Sequence, residues 1–140
     1  ARRRDKRELI ETEMNLPIRP YDVDVAGIVS NIVYVRWLED LRMELFSTRL
    51  APKVSGGREL MTVVARTEIN YRKSLRFYDH CIGRVRVVEI GRTSLTLDAS
   101  FVNLSGETVA DARQTNVHID ITTGRPSSLP EDLRALFEQG

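Results

Sequence analysis

The chain has 140 residues, of which 21 are Lys or Arg and 20 are Asp or Glu, so its formal net charge is +1. This length supports one hydrophobic core and not two, and residues 1–140 are therefore expected to form a single domain. With 41% hydrophobic and 29% charged residues, the composition is typical of a folded protein rather than a disordered one. A charge near zero weighs against a dedicated nucleic-acid binder or a membrane-surface protein.

The expected compartment follows from the single cysteine and the lack of apolar segments. Cys81 has no second cysteine with which to form a disulfide within the chain. No apolar run reaches the roughly 18 residues that a membrane-spanning helix needs, and the basic N-terminus is not followed by a signal-peptide core. We therefore predict a cytoplasmic protein without a membrane partner. Residues 1–7 are expected to form a frayed, solvated end.

The first half of the chain is predicted to contain one strand and one long helix. Residues 8–19 have the composition of a strand, and residues 20–27 follow as a loop. From Ser30 to about Thr48, apolar residues recur every three or four positions, which predicts an amphipathic helix. A side-chain oxygen of Ser30 or Asn31 is predicted to cap its start. The buried face is predicted to carry Ile32, Val35, Leu38, Leu41 and Leu45.

The second half of the chain is predicted to form an antiparallel sheet. After a Pro- and Gly-containing loop at residues 49–59, the period of the apolar pattern changes to two. Short connections between the strands require antiparallel hairpins, and a terminal helix is predicted to begin at Pro130. The predicted strands are residues 63–72, 82–90, 94–103 and 108–120. In the first of these, one face is predicted to carry Val63, Ala65, Thr67, Ile69 and Tyr71.

One sheet packed on one helix is an α+β architecture. Such a sheet keeps an unpaired edge, and a single helix covers only part of one face. Self-association through the edge or by stacking is therefore expected.

Several familiar catalytic motifs do not occur in the sequence. It lacks Gly-rich nucleotide loops, the Gly-x-Ser-x-Gly elbow and the His-Glu-x-x-His helix. His80, His118 and Cys81 do not have the spacing of a metal site, and structural roles are favoured for all three. No metal and no cofactor is predicted.

The loop before the helix carries the strongest chemical signal. Asp22 and Asp24 lie two residues apart in an otherwise apolar stretch, and Gly27 and a helix N-terminus follow. A carboxylate facing free backbone amides can serve as nucleophile or base while the amides stabilise an oxyanion. An aspartate that only caps a turn explains the same pattern equally well.

The same residues resemble a known family. Residues 21–42 are similar to the Asp-x-Asp-x-x-Gly-x-Val pattern, followed by Asn, Tyr, Trp and Glu, of hotdog-fold acyl thioesterases of the 4-hydroxybenzoyl-CoA thioesterase type. Residues 67–79 resemble the second strand of that family, and residues 117–131 resemble its last strand and Pro-flanked tail. The resemblance implies a hotdog fold, in which an antiparallel five-stranded sheet wraps around one long central helix.

The resemblance also implies roles for residues of the loop and helix. Asp24 matches the catalytic carboxylate, either nucleophile or general base, and Asp22 matches a supporting position. Asn31 matches a position near the substrate, for which helix capping is an equally good explanation. Tyr34 and Trp37 match family aromatics, for which core or dimer packing is favoured over substrate contact.

Further positions that match the family are expected to contact the substrate. Backbone amides of Leu60 and Met61 match the place where the family polarises the thioester carbonyl, and the amides around Gly27 are the alternative donors for the oxyanion. The segment Arg92, Thr93 and Ser94 matches a place where the family contacts the CoA phosphates, and guanidinium and hydroxyl donors suit that task. A plain hairpin turn explains the last segment nearly as well.

Together these features predict an acyl-CoA thioesterase that releases a free acid and CoA. We expect a homodimer or homotetramer with its active site at the subunit interface. Two alternatives stay open: an acyl-carrier-protein (acyl-ACP) thioesterase, and a hotdog domain that binds an acyl thioester or a protein partner without turnover. Ala26 and Ile28 occupy positions that are Asn and His in the plant acyl-ACP branch, so the chemistry of that branch is not expected here.

Overall fold

The computed structural model describes residues 10–51 and 60–138, which form one five-stranded antiparallel sheet with two helices. The order of strands across the sheet is β1-β3-β4-β5-β2, so β1 and β2 are its edges. This confirms the predicted α+β sheet. The predicted frayed end, residues 1–7, and most of the predicted loop at 49–59 lie outside the described residues. The strands are β1 (Glu11–Asn15), β2 (Thr62–Tyr71), β3 (Ile82–Ile90), β4 (Ser94–Val102) and β5 (Thr108–His118).

Both predicted helices are confirmed. Helix α1 (Asn31–Leu45) crosses one face of the sheet and continues into a π-helical turn, Phe46–Leu50, and α2 (Glu131–Glu138) follows the last strand. In the described ranges, no helix is both long enough and apolar enough to cross a membrane. β1 is shorter than the predicted strand at 8–19, of which residues 8 and 9 are not described.

The direction of α1 is set by contacts at its two ends. At its start, the Tyr71 hydroxyl donates a hydrogen bond to the Asn31 carbonyl oxygen over 3.1 Å. In its last turns, Nη2 of Arg42 donates to the Thr62 carbonyl oxygen over 3.1 Å. The helix therefore runs from the end of β2 towards its start.

The two ends of the sheet carry different connections. Where β2 finishes, residues 20–30 lie beside the start of α1, and we call this the loop end. Val63 of β2 and Ser94 of β4 both pair with Val117 of β5. The turn between β3 and β4, residues 91–93, thus lies at the opposite end, where β2 starts, and we call this the turn end.

The buried face of α1 is rotated from the predicted one. Ile32 and Val35, which were predicted to be buried, expose 77% and 51% of their surface. Tyr34 and Trp37 are buried instead and stack edge to face at 5.2 Å. Burial of two large aromatic rings outweighs burial of two aliphatic side chains, and this sets the rotation of the helix. The remaining prediction for this face is confirmed for Leu38, Leu41 and Leu45.

Helix capping also differs from the expectation. Ser30 is the N-cap residue of α1, but its side chain makes no capping hydrogen bond, and Asn31 is already the first helical residue. The predicted side-chain cap is therefore wrong. The Val33 amide is satisfied by the Ser30 carbonyl oxygen over 3.0 Å instead.

A β-bulge changes which face of β2 carries which residue. The pairing of β2 with β5 shifts between Val64 and Arg66, which leaves Ala65 as the extra residue. Val64 therefore lies on the helix-facing side together with Thr67, and Val63 lies on the outer side. The predicted face, which grouped Val63 with Thr67, is wrong at this point because the bulge interrupts the period of two.

Side chains from α1 and from the segment after β1 pack directly on Gly83 in β3. A Cβ atom at this position would lie 2.7 Å from Cδ1 of Leu16 and 2.8 Å from Cδ1 of Leu41. Both leucines are buried, so neither side chain has room to move aside. Glycine is needed here for space rather than for backbone conformation.

We expect Gly83→Ala to lower the free energy of unfolding by about 1–3 kcal/mol, the usual cost of overpacking a filled core. Denaturant titration measures this difference. Ser100→Ala is the control, because Ser100 is opposite Arg84 on the outer face of the neighbouring strand. An unchanged free energy of unfolding in Gly83→Ala would contradict the close approach.

A buried polar cluster fixes α1 to β5 and to the edge strand β2. Arg42 is buried, and its Nε donates to Oδ1 of the fully buried Asn116 over 2.7 Å. Asn116 donates to Gln114 over 3.2 Å, and Gln114 donates to Thr67 of β2 over 3.3 Å. Every buried side-chain polar atom of the described residues has a partner, so this cluster carries no unpaired desolvation cost.

The outer face of the sheet, which points away from α1, is charged. Arg113 and Asp98 form a two-point ion pair at 2.7 and 3.0 Å. This pair belongs to a row that alternates in sign across all five strands. The row is Glu11, Arg86, Asp98, Arg113 and Glu68. Alternating charges on one face are typical of a solvated surface.

Candidate functional site

The loop before α1 is built on a buried aspartate. Asp22 is fully buried, and its Oδ1 accepts a hydrogen bond from Nη2 of Arg36 over 2.7 Å. Its Oδ2 accepts from the Arg19 amide over 2.8 Å, and its carbonyl oxygen accepts from the Ser30 amide over 2.9 Å. The hydrogen bond to Asp22 raises the pKa of Arg36. Asp22 thus joins the two ends of the loop, and the supporting role that the resemblance implies for it stays a prediction.

Asp24 lies at the exposed tip of this loop. Its carbonyl oxygen accepts from the Gly27 amide over 3.0 Å in a β-turn, and Gly27 has a φ of +79°, which favours glycine. Its Oδ1 accepts from the Ala26 amide over 2.9 Å and from the Ile28 amide over 3.5 Å. Its Oδ2 has no hydrogen-bond partner within the described residues. Asp24 therefore caps the turn and also presents one free carboxylate oxygen.

Backbone contacts clamp the loop to the segment that follows β2. The Val29 amide donates to the Leu75 carbonyl oxygen over 2.7 Å, and Ile28 pairs with Arg76 in an isolated β-bridge. These contacts join the loop to the rest of the fold on the side opposite its tip. The position of Asp24 is thus held by backbone hydrogen bonds rather than by side-chain packing.

Backbone amides at the loop end divide into engaged and free donors. The Gly27 amide already donates to Asp24, so it is occupied in this structure. The amides of Asn31 and Ile32 open the helix, where no intrahelical acceptor exists, and they donate to no acceptor in the described parts of the chain. Within the described residues, the amides of Asn31 and Ile32 are therefore free donors at the loop end.

A shallow pocket of about 130 Å³ adjoins this loop. Ile28, Asn31, Tyr34 and Tyr71 contribute to its lining. The rings of Tyr34 and Tyr71 meet edge to face at 5.4 Å. Burial, followed by the neighbouring Cys81 and Tyr71, raises the pKa of Tyr34 to about 12. Its hydroxyl therefore stays protonated at neutral pH and cannot act as a base there.

The other predicted substrate contacts lie at the turn end. Leu60 packs against the core, and the amides of Leu60 and Met61 have no acceptor among the residues that the structure describes. Arg92 is exposed and Thr93 and Ser94 are half-buried in and after the β3–β4 turn. Main-chain and side-chain donors for an anion or a carbonyl group are thus clustered at this end.

The C-terminal segment packs on the β3–β4 turn, a contact that the sequence did not predict. Nη1 of Arg92 donates to Oγ of Ser128 over 3.1 Å, and the Leu129 amide donates to the Arg92 carbonyl oxygen over 2.9 Å. Nη2 of Arg134 donates to the carbonyl oxygens of Gly91 and Arg92, both over 2.9 Å. These partners are more than thirty positions apart in the sequence, so no local pattern signals them.

The two histidines and the cysteine have surroundings that suit structural roles. Burial raises the pKa of the Cys81 thiol to about 12, so it stays protonated near neutral pH. Nδ1 of His118 lies 3.1 Å from the Ser128 carbonyl oxygen, and because a carbonyl only accepts, Nδ1 carries the hydrogen. His80 is exposed. Within residues 10–51 and 60–138, no three His, Cys, Asp or Glu side chains are grouped to hold a metal ion.

The predicted site residues therefore form two groups that one chain keeps apart. Asp24, Gly27, Asn31 and Tyr34 lie at the loop end, and the second group, Leu60 to Met61 with Arg92 to Ser94, lies at the turn end. Strand β2 separates them with ten residues, which is about 30 Å at the usual rise per residue. A single chain does not bring Asp24 together with the predicted phosphate contacts.

Comparisons with known proteins agree with this fold. Residues 18–137 match the family model of the thioesterase-like superfamily. The chain is 26% identical over 128 residues to the long-chain acyl-CoA thioesterase FadM of Escherichia coli (strain K12). The matched region covers 91% of this chain and 97% of the relative.

Solved structures with similar folds also carry thioesterase names. A thioesterase from Thermus thermophilus, complexed with coenzyme A and Zn, has a TM-score of 0.77 and 28% identity, over 89% of this chain and 95% of the other. A predicted thioesterase from Bacillus stearothermophilus has a TM-score of 0.79 and 26% identity, over 92% of this chain and 95% of the other.

These matches confirm the hotdog fold and the thioester-hydrolase class that the resemblance implied. They do not single out the 4-hydroxybenzoyl-CoA type, which stays a prediction. Because the family model covers residues 18–137, this chain belongs to the thioesterase-like superfamily.

Proposed function

We propose that this protein hydrolyses acyl-CoA thioesters to a free acid and CoA, with Asp24 as the catalytic carboxylate. The observation that carries the proposal is the Oδ2 of Asp24, which has no partner among the described residues and lies on a loop that leads into the free amides of Asn31 and Ile32. A carboxylate can attack a thioester carbonyl or activate water, and amide donors can stabilise the oxyanion that forms. Similarity to an acyl-CoA thioesterase and to a coenzyme A complex supports CoA as the carrier.

Two chemical routes are compatible with this carboxylate. As general base, Asp24 takes a proton from water while the water oxygen bonds to the carbonyl carbon. As nucleophile, Oδ2 bonds to that carbon and forms an acyl anhydride, which water then cleaves. In both routes the C–S bond breaks and CoA leaves as the thiol after it receives a proton. Trapping an acyl anhydride on Asp24 would establish the nucleophilic route.

We also propose that the active unit is a homodimer joined through β2. Among residues 10–51 and 60–138, nothing pairs with the outer edge of this ten-residue strand, and its side chains Val63, Val64 and Tyr71 expose 41–46% of their surface. Long exposed edges with apolar side chains are normally paired or covered. The outer sheet face is a poorer candidate, because its alternating charges would have to be desolvated on stacking.

Pairing of two β2 strands would complete the site. If the two copies are related by a two-fold axis, their edge strands run antiparallel, and the start of one lies beside the end of the other. The loop end of one subunit would then face the turn end of its partner. Asp24 would meet the amides of Leu60 and Met61 of the partner subunit, with the partner's Arg92 further along the groove for the CoA phosphates.

Two alternatives make different predictions. An acyl-ACP thioesterase would hydrolyse the carrier-protein thioester in preference to the CoA thioester. A binding domain without turnover would retain acyl-CoA and release no thiol. The free Oδ2 of Asp24 favours turnover, because a binding site for a neutral thioester does not need an exposed carboxylate. The homotetramer and the cytoplasmic location stay predictions.

Thiol release from a panel of acyl-CoAs tests the proposed function. The panel contains short, medium and long aliphatic chains and an aromatic acyl group, and acyl-ACP is assayed in parallel. We expect saturable release from at least one acyl-CoA. An unrelated protein, purified in the same way, measures contaminating thioesterase. Release from acyl-ACP alone would favour the first alternative, and acyl-CoA binding without release above this background would favour the second.

A further inference from the structure

The turn between β3 and β4 presents carbonyl groups where the proposed function places an anion. The carbonyl oxygens of Gly91 and Arg92 carry partial negative charge, which opposes phosphate binding at this turn. Both accept hydrogen bonds from the Arg134 guanidinium at 2.9 Å, and the Leu129 amide donates to the second of them at 2.9 Å. The C-terminal segment therefore neutralises these dipoles and adds a full positive charge.

Arg134 is held in this position by the packing of its helix. Leu133, the preceding residue in α2, is fully buried, and Leu129 is buried just before the helix. Leu136 and Phe137 also pack against the core. With buried residues on both sides of it, the half-buried Arg134 side chain extends over the turn and reaches the Gly91 and Arg92 carbonyl oxygens.

The turn carries two guanidinium groups that no carboxylate of the described chain neutralises. Neither Arg92 nor Arg134 forms an ion pair with residues 10–51 or 60–138, whereas Arg36, Arg84 and Arg113 each do. Arg92 is oriented by its hydrogen bond to the Ser128 hydroxyl. Guanidinium donors that are held by hydrogen bonds and have no carboxylate partner among the described residues are suited to phosphate groups.

We propose that Arg134 is a positioning residue that sets the affinity of this turn for the phosphate-bearing part of CoA. The inference rests on the proposed function. Arg134 acts through the Gly91 and Arg92 carbonyl groups, and it holds the turn in the conformation in which Arg92 and the Thr93 and Ser94 hydroxyls face the ligand. Its loss weakens binding of the nucleotide end of the substrate and leaves the reaction at Asp24 unchanged.

Kinetics with two substrates test this inference. Arg134→Met keeps the aliphatic stem and removes the donors, and we expect KM for acyl-CoA to rise about tenfold or more, the effect of losing a charged hydrogen bond. We expect kcat to stay within about twofold of wild type. The matching acyl thioester of N-acetylcysteamine, which has no phosphate, should show the same KM with both proteins. Arg134→Lys should recover part of the loss.

Arg125→Met is the matched control, because Arg125 is exposed in the same segment and its side chain has no hydrogen bond to the described residues. It should behave as wild type. An equal rise in KM of Arg134→Met for both substrates, or no rise for either, would overturn the inference. The proposed function would still stand, because it depends only on hydrolysis of acyl-CoA by the wild type. If wild type neither hydrolyses acyl-CoA nor binds CoA in calorimetry, both proposals fail. Thermal unfolding of Arg134→Met and Arg134→Lys separates a binding defect from loss of α2 docking.

Discussion

Asp24→Asn is expected to lower kcat for acyl-CoA hydrolysis by about 10²- to 10⁴-fold, the usual contribution of a positioned general base. The amide has the same size, and its oxygen can still accept from the Ala26 amide, so the turn at the tip of the loop should persist. It has no negative charge with which to take a proton from water or attack the thioester. Steady-state thiol release measures kcat and KM separately, and KM should change little.

The matched control for this variant is Asp79→Asn. Asp79 is another exposed loop aspartate, and its Oδ2 accepts a hydrogen bond from the Arg76 amide over 2.8 Å, as Asp24 does from Ala26. It should retain wild-type kcat. Equal kcat in wild type and Asp24→Asn would exclude the catalytic role. A lowered kcat in both variants, together with lowered thermal stability, would indicate that the loss of activity comes from the loss of a turn cap and not from the loss of a catalytic carboxylate.

The strands were predictable because their signals are local. β3 and β4 alternate apolar and polar residues and are joined by a short turn, and their boundaries differ from the prediction by at most one residue. The bulge at Ala65 was not predictable, because it is defined by pairing with β5 and not by the residues of β2 alone. The exposure of Ile32 and Val35 was not predicted, because the spacing of apolar residues indicates an amphipathic helix but does not fix which of two overlapping faces is buried. Here the packing of the aromatic side chains decides it.

The same distinction applies to the candidate site. Asp22, Asp24 and Gly27 were found from a short segment, since a turn and a helix start are local features. The partner of Asp22 is Arg36, 14 positions away, and nothing in the loop indicates it. The separation of the two groups of site residues depends on the whole path of α1 and β2. For this reason the sequence could predict the individual site residues but not their separation. The fold is needed to show that the two groups lie at opposite ends of the sheet within one chain.

Co-refolding of two impaired variants is expected to restore activity if each site uses both subunits. Asp24→Asn damages the loop end and Arg92→Ala damages the turn end. In a heterodimer of the two, one site combines the intact loop end of one chain with the intact turn end of the other. Random assembly of equal amounts should therefore give about a quarter of wild-type kcat/KM for acyl-CoA. Each variant refolded alone should stay near its own low value.

The reverse mixture distinguishes shared sites from sites within one chain. Wild type is co-refolded with an equal amount of a chain that carries both Asp24→Asn and Arg92→Ala. If sites are shared across β2, every heterodimer is damaged at both sites, and only wild-type dimers are active, which again gives about a quarter of wild-type kcat/KM. If each site belongs to one chain, the wild-type chains keep their activity in every dimer, and about half remains. Recovery in the first mixture together with a quarter in the second requires a carboxylate from one subunit and a phosphate-binding turn from its partner.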